Sequence, residues 1–139
     1  MSGPSITLTH RPDLGLVIAR WQRDIAPAEL RGDYLAIRAV ADEAACGRWL
    51  LDLRRRDDIT EPTVNHWVGH EFAPSLRGRY AAPARLAFLV SPLRAQQPVL
   101  VEVSAEESDC LIATFTEEAA ACDWLTADST RTADSNGFN

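Results

Sequence analysis

The run Trp49-Leu50-Leu51-Asp52-Leu53 constrains the fold most, because it is too apolar for a strand with one face in water. A segment of this kind belongs in the middle of a sheet, where helices cover its faces. A chain carrying it must therefore supply flanking strands and helices, and an α/β domain follows.

The flanking segments fit. Ile6-Thr7-Leu8-Thr9 alternates, His10 to Gly15 contains the turn residues Pro12, Asp13 and Gly15, and Leu16 to Trp21 follows as a second strand. The fold therefore begins with an antiparallel hairpin. Pro27 opens a helix, where its missing N–H costs nothing. Leu30, Tyr34, Ile37, Ala41 and Ala44 lie along one face of it, and Gly47 is placed for a left-handed cap.

After the central strand comes the charged loop Arg54-Arg55-Arg56-Asp57-Asp58. Thr60 is placed to cap a second helix with Glu61 and Pro62 in its first turn. Val64, Trp67, Val68 and Phe72 form its buried face, Pro74 kinks or breaks it, and Leu76 and Tyr80 extend the packing. Arg85 to Val90 is a fourth strand, closed by Ser91-Pro92. Pro98 to Val103 is β-branched enough to be strand, within a stretch from 93 to 108 that carries no clear pattern. Leu111 to Phe115 is a further strand. Thr116 is placed to cap the last helix, with Glu117 and Glu118 at its positive end and Ala121, Trp124 and Leu125 docking it.

The expected order is β-β-α-β-α-β-(?)-β-α, a mixed sheet of four to five strands packed against three to four helices, with right-handed crossovers. Residues 1–126 form one domain, and 127–139 read as a disordered polar tail.

Composition limits function. The chain has 139 residues, enough to bury a core without staples, and 46% are hydrophobic. Its net charge of −6 disfavours nucleic acid. Leu86 to Val90 is too short to span a bilayer, and the start Met1-Ser2-Gly3-Pro4 has no secretory pattern, so a cytoplasmic protein is expected. All 14 basic residues are arginine, so any anion site here is arginine-built. Cys46, Cys110 and Cys122 read as reduced thiols near the core. Trp21, Trp49, Trp67 and Trp124 each fit an apolar period and read as core or core-edge residues.

On the strings Arg48-Trp49-Leu50-Leu51-Asp52-Leu53-Arg54 and Phe115 to Leu125, and on the order of elements over residues 5–126, the chain resembles the STAS domain family in its SpoIIAA-like branch. The resemblance implies a bacterial regulatory module that binds rather than catalyses. In the family's anti-sigma antagonists, a serine beginning the second helix after a Ser- and Gly-containing loop is phosphorylated to switch association. The corresponding stretch here, Arg54 to Pro62, has neither serine nor glycine. Thr60 is the one hydroxyl at the equivalent place, and the serine phosphoswitch is expected to be missing. The related lipid-binding CRAL-TRIO domains keep a small apolar ligand open as an alternative.

The candidate sites are few. Ligands of open α/β sheets gather beyond the carboxyl ends of the strands, which places Arg54, Arg55, Arg56, Asp58 and Thr60 on such an edge. Ser91 and Arg94 join them if the third and fourth strands are neighbours. This rim would bind an anionic ligand or an acidic partner segment, or be a loop whose opposite charges satisfy one another. His66 and His70, four apart on one helix face, are a two-ligand metal candidate short of the third ligand a site needs. Asp52 is the odd charge in an apolar strand. It caps the following loop through Arg54 or Thr60, or serves as a general base for which no nucleophile is evident. No catalytic constellation and no cofactor are expected. The partner is another protein or a second copy in a homodimer, and the runner-up is a small-ligand carrier with a cleft rimmed by Arg54, Arg55, Arg56 and Arg94.

Overall fold

The computed structural model describes residues 6–55, 66–80, 83–92 and 110–127. Five strands form one mixed sheet in sequential order: β1 (Ile6–Arg11), β2 (Leu16–Trp21), β3 (Arg48–Asp52), β4 (Ala84–Leu89) and β5 (Cys110–Phe115). β1 pairs antiparallel with β2 and every later pair is parallel. Helix α1 (Pro27–Ala44) crosses from β2 to β3, and α2 (Glu118–Thr126) follows β5. The expected hairpin start, the central third strand and the α/β class are all present. Arg56 to Val64, the strand expected at Pro98 to Val103 and the tail expected beyond residue 127 lie outside the described residues.

Side-chain alternation along the strands divides the core in two. Val17, Ala19 and Trp21 of β2, Trp49 and Leu51 of β3, and Leu86 and Phe88 of β4 face α1, which buries Leu30, Tyr34, Ile37 and Ala41 against them. Leu16, Ile18, Leu50, Ala87 and Leu89 face the other way and meet Ala121 and Leu125 of α2. β3 is therefore covered on both faces, as its composition requires. Trp21 and Trp49 are fully buried, and Trp67 and Trp124 stand half-buried at the core edge.

Before β4, a π-helical turn spans Val68–Phe72 and a 3-10 turn spans Pro74–Leu76. The Ala73 amide bonds the Val68 carbonyl five residues back at 2.8 Å, and Pro74, which has no N–H to give, ends the helix. The wide turn carries Phe72 into an aromatic cluster, with ring centroids 5.2 Å from Tyr34, 5.4 Å from Trp67 and 5.8 Å from Trp49.

Two caps differ from expectation. The left-handed residue ending α1 is Ala45 (φ 52°), not Gly47, since the chain turns one residue after the helix. The Cys46 amide reaches the Ala41 carbonyl at 2.9 Å and the Ala45 amide reaches Asp42 at 3.2 Å, a Schellman pair. Gly47 serves a different need, because a Cβ there would lie 2.9 Å from the Tyr80 ring. At α2 the N-cap is Glu117 rather than Thr116, and it makes no side-chain capping bond. The first α2 turn closes through the Ala121 amide to the Glu117 carbonyl at 3.1 Å, which leaves Thr116 outside the helix.

Candidate functional site

The carboxyl ends of the parallel strands carry the most concentrated charge among the described residues. β2 and β3 run in register so that Arg20 lies beside Asp52, and alternation turns both toward the face covered by α2. Arg54 follows β3 by two residues, and Glu118 opens α2 above the same edge.

The four side chains form a closed ionic network. Arg20 Nη1 donates to Asp52 Oδ2 at 2.8 Å, and its Nη1 and Nη2 hold the two Glu118 oxygens at 3.0 Å each, a bidentate fork. Arg54 donates its backbone N–H and its Nε to Asp52 Oδ1 at 3.1 and 3.0 Å, and its Nη2 to Oδ2 at 2.9 Å. A longer contact of 3.4 Å ties Arg54 to Glu118. Two guanidinium and two carboxylate groups alternate, so the network is neutral. Gln22 accepts from Arg55 Nη1 at 2.8 Å on its rim, and the shallow cleft between these residues has a volume of about 380 Å³.

The electrostatics follow from this geometry. Burial raises the Asp52 pKa, since its side chain is only 10% exposed, but the bonds from Arg54 and Arg20 outweigh burial and hold it below the ordinary carboxylate range. Glu118 is lowered by the Arg20 fork, against a smaller opposing effect of burial. Arg20 is raised by its bonds to Glu118 and Asp52 in spite of desolvation. Asp52 is thus held ionised and saturated with donors, the opposite of a general base poised near neutral pH.

The far end of α2 has its own arginine. Arg85, buried on β4, gives Nη1 to the Trp124 carbonyl at 2.9 Å and to the Ala127 carbonyl at 2.8 Å, and its guanidinium lies 5.9 Å from the Trp124 ring centroid. A cation at the negative end of a helix is favourable. The helix is therefore held at both ends by arginines of the sheet, with only Ala121 and Leu125 fully buried between them.

Of the predicted rim, Arg54 sits in the network and Arg55 is exposed and bonded to Gln22. β3 and β4 are neighbours, so the half-buried Ser91 does follow a strand beside the Arg54 loop. Arg56, Asp58, Thr60 and Arg94 lie outside the described residues. Arg54 does cap Asp52, one of the two partners expected for it. Arg20, Gln22 and Glu118 join the site without any motif in the sequence that marks them for it. The available signal was Arg20 itself, a charge inside an otherwise apolar strand.

His66 and His70 are exposed and stacked, with ring centroids 4.3 Å apart, and among the described residues no three His, Cys, Asp or Glu side chains are gathered to hold a metal. Cys46 is buried, Cys110 and Cys122 are half-buried, and all three are free thiols. No helix among the described residues is long and apolar enough to cross a membrane. Compared with known proteins, the chain matches no family model, no curated protein and no solved structure.

Proposed function

We propose that the chain is a non-catalytic binding or regulatory module of the STAS-like, SpoIIAA-type kind, acting in the cytoplasm on another protein or a second copy of itself, without the serine phosphoswitch. The observation that carries this reading is the saturation of Asp52. Where α/β folds hold their ligands, the charged groups here are spent on one another and on holding α2. The element order, a hairpin and then parallel strands with α1 and α2 on opposite faces, supports the family reading. Leu111, 50% exposed on β5, one of the two edge strands of the described sheet, supplies an apolar contact for a partner.

Native mass spectrometry of protein taken from its own host tests the proposal. A polypeptide or second copy bound in fixed ratio, and lost in Leu111→Glu, is the expected result. Monomer without any bound polypeptide contradicts it. A retained small molecule in that monomer would favour the carrier reading.

A further inference from the structure

A second cleft opens at the opposite edge of the sheet, between the β1–β2 turn, the end of α1 and the start of β3. Its volume is about 440 Å³, within the range of small-molecule sites, and His10, Pro12, Gly15, Cys46, Arg48 and Tyr80 are among the residues lining it. Its charges are arranged unlike those of the first cleft.

Arg48 lines this cleft half-buried, and among the described residues its side chain has no hydrogen-bond or ion-pair partner. Arg20 and Arg54 are matched by carboxylates, and Arg79 is matched by Asp42 at 2.7 Å. The cross-strand neighbour of Arg48 is Arg85, another cation, whose bonds go to the α2 carbonyls. A guanidinium partly withdrawn from water beside a like charge lacks its counter-charge. Two other polar groups of the lining are occupied: the Tyr80 hydroxyl donates to Asp42 at 2.9 Å, and the Cys46 thiol donates to the Gly15 carbonyl at 3.2 Å. His10 is exposed at the lip, and Pro12, Ala44 and Pro83 add apolar lining.

We infer that this cleft binds a small organic anion, with Arg48 receiving its carboxylate or phosphate and the proline- and alanine-lined wall receiving a compact apolar body. Guanidinium suits either head group through paired N–H donors. The inference is independent of the partner reading, because the cleft lies at the other end of the strands from the ionic network and shares no residue with it.

Amide-resolved NMR titration of the whole chain with benzoate and with inorganic phosphate tests it. Saturable shifts at Gly15, Cys46, Gly47 and Arg48 are expected with benzoate. Phosphate alone should bind there more weakly, having no apolar body. Arg48→Ala and Arg48→Gln, the latter keeping much of the stem, should each weaken benzoate binding about tenfold or more, whereas Arg55→Ala at the opposite edge should not. Dispersed spectra of the variants show that they remain folded. No shift at these amides with either probe, or equal binding by folded Arg48→Gln, would overturn the inference.

Discussion

The Arg85 guanidinium donates to the Trp124 carbonyl and also lies beside that residue's indole ring, so a single side chain of β4 fastens the end of α2. At the other end of the helix, Arg20 of β2 grips Glu118 with both of its terminal nitrogens. A helix this short gains little from propagation alone, and its position depends on such anchors and on the burial of Ala121 and Leu125.

Arg85→Ala should therefore lower stability by about 2–3 kcal/mol, since it leaves two carbonyls without their charged donor. Urea denaturation measures the loss. Hydrogen exchange should show faster opening in α2 than in α1, because α1 keeps its own buried face.

Acid should loosen the opposite end. Asp52 and Glu118 both have folded pKa values depressed below their unfolded ones. Their contribution is complete above the unfolded carboxylate range, about pH 4, and is lost as pH falls through the depressed folded values. Glu118 and Arg54 are open to solvent, so screening limits the Glu118 share to about 1 kcal/mol or less. Stability measured from pH 6 down to about pH 2 should fall more steeply in the wild type than in Asp52→Asn.

The α1 cap offers a gain in stability. Ala45 holds a left-handed conformation that costs an L side chain about 1 kcal/mol. Ala45→Gly should stabilise the fold by up to about that amount, reduced by the extra freedom of glycine in the unfolded chain. Gly47→Ala should destabilise it by about 1–3 kcal/mol through the clash with Tyr80. Thermal melts of the two variants moving in opposite directions would bear out the reassigned cap.

Local chemistry made much of this fold readable. The spacing of Leu30, Tyr34, Ile37 and Ala41 describes the buried face of α1, Pro27 marks its start, and the apolar run at Trp49 marks the central strand. The misplaced features are those that packing decides. Gly47 has the composition of a cap, yet Tyr80, distant in sequence, is what requires it. The π-helical turn at Val68–Phe72 leaves no mark in a period of 3.6 residues. The candidate site was half legible: Asp52 and Arg54 are close in sequence, and their bond could be expected. Arg20 and Glu118 lie 32 and 66 residues from Asp52, and only the parallel register and the return of α2 over the sheet bring them to it.

The central claim is that the charged edge holds a helix rather than a ligand. A double-mutant cycle of Arg20→Ala and Glu118→Ala, read by urea denaturation, tests it most directly. The account predicts a favourable coupling of about 0.5–1 kcal/mol between the two residues, the size left to a pair of this exposure. Strict additivity of the two losses would contradict it, and would mean that Arg20 and Glu118 do not hold α2 to the sheet.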